Sequence, residues 1–173
     1  MERGISLGGM SKSYGLPGLR IGWLVNRDPS FHKRVSELKD YVSICPPAPS
    51  EALAFIALRA QGQVWQRSRD IIAEGLPLLR QFVTDQANNH QDHSFEWCEP
   101  LGGTFSWVKF QSKRGMTASE YSQKVRQRTG LMMVPSGLFP ECRATDDRLR
   151  LTYGKTGLKE LLEVWERDLK EDH

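Results

Sequence analysis

Residues 6–22 read SLGGMSKSYGLPGLRIG, a glycine-rich stretch in which Lys12 and Arg20 stand eight positions apart. Glycine removes side-chain obstruction, so a bulky ligand can approach the lysine closely. Pro17 followed by Gly18 is typical of a type II turn. Fully extended, eight residues would separate the two basic residues by roughly 26 Å. The predicted turn would instead bring both side chains to one small molecule.

The residue types at these two positions suit a ligand with an aldehyde at one end and a phosphate at the other. A lysine amine in a dry or cationic setting becomes a nucleophile toward aldehydes. The planar guanidinium of Arg20 suits a phosphate. Taken alone, this pair is better explained by a solvated Lys12 and an Arg20 that forms a salt bridge than by a ligand site. The whole string of small residues and glycines favours the ligand.

Composition limits the class of protein. The chain has 173 residues, of which 39% are hydrophobic and 26% charged, and 24 Lys and Arg against 21 Asp and Glu give a net charge of +3. This balance excludes a disordered or collagen-like chain. The basic residues are scattered, and the longest apolar stretch, residues 52–58, is too short to cross a bilayer, so neither a nucleic-acid partner nor a membrane partner is expected. There is no signal-peptide pattern. The three cysteines, Cys45, Cys98 and Cys142, are far apart in the sequence. Together these features predict a reducing, cytoplasmic location.

Hydrophobic patterning predicts an α/β chain whose C-terminal part is an α+β unit. The first part of the chain is predicted to contain a short buried strand at 21–25, a helix at 30–42 and a proline-rich connector at 45–49. A helix from Ser50 is apolar nearly all round and therefore predicted to be buried, and it breaks at Gly62. After a helix at 63–85 and a polar loop at 88–94, the predicted elements are strands at 94–99 and 104–110 joined by a Gly102-Gly103 turn, a helix at 117–130, strands at 131–134 and 148–153, and a final helix from Leu158. We expect two domains, residues 1–62 and 63–173.

A second basic motif lies near the C-terminus. Residues 148–153 read RLRLTY, and strand alternation places Arg148 and Arg150 on one face with the leucines on the other. Alone, this pattern fits an edge strand with a charged solvent face as well as it fits a strand that binds a ligand. His90 and His93 are not accompanied by cysteines or an acidic cluster, so no metal site is predicted.

Together, these motifs resemble the class I/II aminotransferases, the fold-type I enzymes that depend on pyridoxal 5′-phosphate (PLP). The family signature has small residues before a lysine, a small or apolar pair three and four positions after it, and Arg-apolar-Gly beginning eight positions after it. Residues 9–22 match this signature throughout. Arg150-Leu-Thr-Tyr153 matches the family's C-terminal Arg-apolar-Ser/Thr-aromatic strand, residues 101–107 its Gly-Gly-x-Phe hairpin, and residues 135–139 a short loop near its substrate.

The resemblance implies a role for each matched residue. Lys12 would form the Schiff base with the cofactor and shuttle protons between substrate carbon atoms. Arg20 would bind the cofactor phosphate. Many relatives have a phosphate-binding serine where this chain has Gly9, so Ser11 or the backbone there is expected to take part of that contact. Arg150, in preference to Arg148, would bind the substrate carboxylate.

The resemblance also implies an N-terminal half that this chain does not include. In the family, that half supplies the acid facing the pyridine nitrogen and much of the parallel sheet. We therefore expect a C-terminal fragment that is inactive alone, from an enzyme that acts as a homodimer on an amino acid and a 2-oxo acid. Two alternatives stay open: another PLP enzyme (a lyase, decarboxylase or cyclising enzyme), or a non-catalytic domain that acts by associating with another chain.

Overall fold

A computed structural model describes residues 4–89, 92–142 and 144–171. The chain divides into two compact units, residues 1–69 and 70–173, and the dividing point falls within one long helix. The predicted domains at 1–62 and 63–173 stay a prediction. Within the described residues, no helix combines the length and apolar character needed to cross a membrane.

The first unit is built around a two-stranded antiparallel sheet. Strand β1 (Ser6–Gly9) pairs with β2 (Gly22–Val25), and the connection between them holds a one-turn helix α1 (Met10–Ser13) and a 3-10 turn (Pro17–Leu19). The predicted strand is confirmed, but its predicted burial is wrong. Trp23, Leu24 and Val25 are exposed because no described element of the first unit covers the hairpin.

Helices α2 (Pro29–Val42) and α3 (Ala48–Arg59) follow. Asp28 caps α2 by accepting a hydrogen bond from the Ser30 N–H at 2.8 Å. The predicted break at Gly62 is wrong: α3 ends at Arg59, and α4 (Gln61–Asn89) begins after Ala60 and includes the glycine.

The predicted burial of α3 is only partly correct. Ala54 and Ala57 are buried in a small core with Met10 and Tyr14. The larger apolar side chains of the helix are exposed: Leu53, Phe55, Ile56 and Leu58. The small residues of α3 therefore face the unit's own core, and its large residues do not.

The second unit packs helices on a four-stranded antiparallel sheet of order β3-β4-β6-β5. The strands are β3 (His93–Trp97), β4 (Phe105–Ser112), β5 (Val134–Pro135) and β6 (Arg148–Thr152). The predicted strand at 131–134 is mostly wrong, because β5 pairs with β6 at just two positions, Val134 with Arg150 and Pro135 with Leu149.

Three helices complete this unit: the second half of α4, α5 (Ala118–Thr129) and α6 (Leu158–Glu171). A capping box opens α5, with Thr117 accepting the Glu120 N–H and the Glu120 carboxylate accepting the Thr117 N–H. The core joins residues of all three helices and the sheet, among them Leu79, Phe95, Val108, Phe110, Tyr121, Leu149 and Trp165. His93, which lies 5.3 Å from the Phe110 ring, is part of this packing.

Candidate functional site

The loop from β1 to β2 is folded back on itself. The Met10 N–H donates to the Ile21 carbonyl at 3.0 Å, and the Leu16 N–H donates to the Met10 carbonyl at 2.9 Å. Lys12 lies two residues beyond Met10, and Arg20 directly precedes Ile21. The two basic residues are therefore at the same end of the hairpin, and the extended separation is excluded.

The Lys12 side chain is exposed and has no hydrogen bond or ion pair with any described residue. It lies on α1, whose following turn is closed by the Gly15 N–H donating to the Lys12 carbonyl at 3.2 Å. Below it, Met10 and Tyr14 are buried and anchor the turn. The amine is thus presented on a fixed backbone and is available to a ligand.

The turn before Arg20 is not the predicted type II turn. Residues 17–19 form a 3-10 turn, and the left-handed backbone conformation falls on Arg20 (φ 56°, ψ 33°), whereas a type II turn would place it on Gly18. The turn forms because the Leu19 N–H bonds to the Leu16 carbonyl and both leucine side chains pack against the small core. The Arg20 Nη1 donates to the Pro17 carbonyl at 3.1 Å.

The left-handed conformation costs a non-glycine residue roughly 1–2 kcal/mol. At Arg20, the surrounding turn and hairpin hold that conformation in place. Such strain is concentrated at functional sites.

Small residues on β1 allow close packing against β2. A side-chain carbon at Gly8 would overlap the Trp23 indole, which is paired with it across the hairpin, so glycine lets the indole pack flat against β1. Gly9 is half-buried, with an extended backbone and room for a small side chain. Ser11 is half-buried on α1 next to Lys12.

In the second unit, Arg150 is half-buried on the sheet face opposite the core, because its neighbours Leu149 and Leu151 are buried. Its guanidinium carbon lies 5.3 Å from the centre of the Phe105 ring. No described residue gives it a hydrogen bond or an ion pair. Arg148, in contrast, is exposed and lies 3.7 Å from the Asp147 carboxylate. Arg150 is therefore the arginine of this strand that is available to an anionic ligand.

Sequence reasoning missed two residues that position these elements. Phe105 lies under Arg150, because the pairing of β4 with β6 sets Phe105 opposite Thr152, two residues from Arg150 on the same face. Asp146 accepts hydrogen bonds from the Gly137 N–H at 2.6 Å and the Ser119 N–H at 3.1 Å. It thereby ties the 3-10 turn at 136–138 to the start of α5. Nothing in the sequence around residue 146 indicated this contact.

Gly9, at the end of β1, and Ser11, Lys12 and Arg20, on the loop that follows it, belong to the first unit, and Arg150 belongs to the second. That the arginine of the second unit meets the loop of the first at one substrate stays a prediction.

Comparison with known proteins identifies relatives of the whole chain. Residues 2–166 match the model of the family described as aminotransferase class I and II. The chain is 24% identical over 163 residues to capreomycidine synthase of Streptomyces vinaceus, covering 88% of this chain and 36% of that protein. It is 24% identical over 179 residues to LL-diaminopimelate aminotransferase of Moorella thermoacetica, covering 97% and 40%. The chain thus spans two-fifths or less of the length of these relatives.

Among solved structures, the chain is similar to a PLP-dependent aminotransferase from Streptococcus suis 89-1591. The two are 26% identical with a TM-score of 0.77, over 96% of this chain and 42% of that one. This likeness confirms the predicted fold class.

Proposed function

The chain belongs to the class I and II aminotransferase family, and from that premise we propose that the enzyme containing it transfers the amino group of an amino acid to a 2-oxo acid. The cofactor is PLP, on which the similar enzyme from Streptococcus suis also depends. The observation that carries the proposal is the exposed Lys12 amine, which has no partner among the described residues, on a hairpin that also presents Arg20.

The chemistry of this loop fits the cofactor. PLP has an aldehyde and a phosphate, and the loop offers a primary amine and a guanidinium at the same end of one hairpin. Lys12 would hold the aldehyde end, because its amine has no competing partner among the described residues. Arg20 would hold the phosphate, with the exposed Nη atoms that its bond to the Pro17 carbonyl leaves available. Ser11 and the backbone at Gly9 would supply further phosphate contacts from the same turn.

Lys12 and Arg150 would each have one role in the reaction. The bound cofactor supplies an electron sink for charge that develops at the substrate α-carbon. Once the substrate amine has displaced it from the aldehyde, the free Lys12 Nζ would accept the proton from the α-carbon and deliver it to the carbon that carried the aldehyde, as a positioned general base and acid. Arg150 binds the substrate carboxylate with its planar fork, and Phe105 supports the guanidinium from one side.

The test is amino-group transfer by the full-length gene product, because the relatives extend well beyond the matched region. Arg150→Lys keeps the charge but loses the two-pronged contact, so kcat/KM for an amino acid donor should fall at least tenfold. Arg148→Lys is the matched control from the same strand and should leave kcat/KM near that of the unaltered protein. Equal effects of the two substitutions would contradict the role of Arg150.

The substrates of the complete enzyme are accordingly an amino acid and a 2-oxo acid, and we include a homodimer and a cytoplasmic location in the proposal. Cys45 and Cys98 are unpaired thiols, in keeping with a reducing compartment. Size measurement of the full-length protein and fractionation of its source cells test these two points.

A second PLP chemistry is supported by one comparison, since the relative from Streptomyces vinaceus carries the name of a synthase and not of an aminotransferase. A lyase, decarboxylase or cyclising enzyme would use the same lysine. Product analysis after incubation with amino acids distinguishes these reactions, because only the aminotransferase requires a 2-oxo acid acceptor for turnover.

A non-catalytic role through association is supported by the exposed apolar side chains of α3. Such a protein would bind another chain through Leu53, Phe55 and Ile56 and would not attach PLP at Lys12. A stoichiometric PLP adduct on Lys12 would exclude this alternative.

A further inference from the structure

The buried Asp146 side chain lies where three segments of the second unit meet: the 3-10 turn at 136–138, the start of α5 and the residues that lead into β6. One carboxylate oxygen accepts the Gly137 N–H at 2.6 Å, and the other accepts the Ser119 N–H at 3.1 Å. The Asp146 main-chain carbonyl accepts the Ala118 N–H at 2.8 Å. Both the side chain and the main chain of Asp146 therefore connect these segments.

The residue types at this junction suit the close fit. A side-chain carbon at Gly137 would lie 2.7 Å from the Asp146 carboxyl carbon and 2.6 Å from the Ser119 hydroxyl, so the turn can approach the carboxylate because residue 137 is glycine. The Asp146 backbone has a positive φ of 34°, a region that aspartate adopts more readily than most residues. Sequence and backbone thus agree on this contact.

The junction is linked to β6 through Ser136. The buried Ser136 hydroxyl donates to the Asp146 carboxylate at 3.4 Å and accepts the Arg148 N–H at 3.1 Å. Backbone N–H groups point to alternate edges along a strand, so the Arg150 N–H points to the same edge as that of Arg148. The edge of β6 that carries Arg150 is therefore the edge that Ser136 and Asp146 hold.

Strand β5 depends on this junction, because it is too short to fix its own position. It pairs with β6 at just two positions, Val134 with Arg150 and Pro135 with Leu149. Proline has no N–H to give to the ladder. Since Pro135 directly precedes the turn at 136–138, the hydrogen bonds of Asp146 hold Val134 against Arg150.

The same turn reaches the other neighbour of Arg150. The Phe139 N–H donates to the Ser136 carbonyl at 2.9 Å, and the Phe139 ring meets the Trp107 ring edge-on at 5.4 Å. Trp107 lies directly opposite Arg150 in the pairing of β4 with β6. Residues that the turn anchors therefore flank Arg150 from both adjoining strands, through Val134 and Trp107.

We propose that Asp146 is a positioning residue, which fixes the turn at 136–138 and thereby sets the direction of the Arg150 guanidinium. The guanidinium has no hydrogen bond or ion pair with any described residue, so its direction follows from the backbone and the packing around it. This inference rests on the proposed function in one respect, namely that Arg150 meets the substrate. A displacement of about 1 Å at such a residue can cost up to about a hundredfold in rate.

The experiment measures amino-group transfer by the full-length gene product with Asp146→Asn. KM for the amino acid donor should rise at least threefold while kcat changes less than twofold, because the weakened contact is the same in the ground state and the transition state. Asp147→Asn is the matched control and should leave both constants unchanged. Asp168→Asn breaks an ion pair elsewhere in the same unit, so it controls for lost stability and should also leave KM unchanged.

A second cycle tests whether the effect passes through Arg150. In an Arg150→Lys background, Asp146→Asn should change KM less than twofold, because residues that act on one contact are not additive. Ser136→Ala removes the acceptor of the Arg148 N–H and should raise KM at least twofold. This variant keeps the Asp146 carboxylate and serves if Asp146→Asn does not fold.

Hydrogen exchange gives a readout that does not require activity. The Arg150 N–H faces β5, and the Leu149 N–H faces β4 on the opposite edge of β6. In the full-length protein, Asp146→Asn should speed exchange at Arg150 at least fivefold more than at Leu149, because the opening is local. Asp168→Asn should speed both amides alike.

The results separate this inference from the proposed function. An unchanged KM in Asp146→Asn, an equal rise in Asp168→Asn, or a full effect in the Arg150→Lys background would overturn the positioning role. Absence of amino-group transfer by the unaltered protein would contradict the proposed function. The exchange measurement then decides the inference, since faster exchange at Arg150 than at Leu149 supports it and equal acceleration overturns it.

Discussion

Replacing Asp146 with asparagine should destabilise the second unit by about 2 kcal/mol. The side chain is buried, and its carboxylate accepts backbone N–H groups from Gly137 and Ser119. A hydrogen bond to a charged group contributes roughly 1.5–3 kcal/mol. Asparagine keeps one acceptor oxygen, but its NH₂ group faces an N–H donor. The backbone at residue 146 has a positive φ of 34°, which asparagine tolerates, so the loss reports on the carboxylate and not on the backbone.

The pH dependence of this effect has a definite sign. Burial raises the pKa of the Asp146 carboxyl, but the hydrogen bonds from Ser119 and Gly137 together outweigh burial and hold that pKa below its ordinary value. A group whose pKa is lowered by folding stabilises the folded state above its unfolded pKa, near 3.9. The stabilisation is lost as the pH falls through the lower, folded value. The difference between Asp146→Asn and the unaltered chain should therefore be full at pH 7 and should narrow below about pH 4.

The assay is urea unfolding followed by tryptophan fluorescence, to which the buried Trp165 contributes, at pH 7 and at a series of values below 4. Asp147→Asn is the matched control. Asp147 is half-buried and lies 3.7 Å from exposed Arg148, so its loss should cost less than about 1 kcal/mol. An Asp146→Asn chain as stable at pH 7 as Asp147→Asn, or a difference that does not change with pH, would refute the role of the carboxylate.

Three further predictions concern strain, a buried ion pair and a close backbone contact. Arg20→Gly relieves the left-handed strain, so the urea midpoint of the first unit should stay or rise while the PLP affinity of the full-length protein falls at least tenfold. A lower midpoint with unchanged affinity would contradict this. Asp168→Asn should cost about 2–3 kcal/mol in urea unfolding, because the Arg128 guanidinium loses the charge of a nearly buried carboxylate 2.7 Å away. A loss under about 0.5 kcal/mol would show that solvent already screens the pair. Gly75→Ala should destabilise the second unit by about 1–3 kcal/mol, since the new methyl group would overlap the Tyr153 carbonyl oxygen. This cost should exceed the gain from the better helix propensity of alanine. An unchanged urea midpoint would disprove the close approach.

Local chemistry explains which parts of the fold the sequence predicted. The Asp28 cap and the Thr117–Glu120 capping box depend on residues within one turn of each other, and they lie at the starts of two helices that the sequence predicted. The strands β3, β4 and β6 and the helix α6 follow from alternation and periodicity that a short window contains. The family resemblance carried by residues 9–22 was likewise readable, because its motif is contiguous.

Features that depend on distant neighbours were not predictable in this way. The helix break falls at Ala60 and not at Gly62, and within the next helix Gly75 lies against the Tyr153 carbonyl just after β6. The left-handed residue is Arg20 because two leucines pack beneath the turn, although the local sequence favoured Gly18. Phe105 beneath Arg150 required the register of two strands that are far apart in the chain.

The most direct test of the account is to map the PLP adduct in the full-length protein. The protein is loaded with one equivalent of PLP, reduced with borohydride, digested, and its labelled peptides are identified. We predict one adduct per chain, on Lys12, which disappears in Lys12→Arg and persists in the control Lys39→Arg, since the Lys39 amine donates to Ser43 and to the Ile44 carbonyl. An adduct spread over Lys33, Lys39 or Lys155, or one that survives Lys12→Arg, would contradict it.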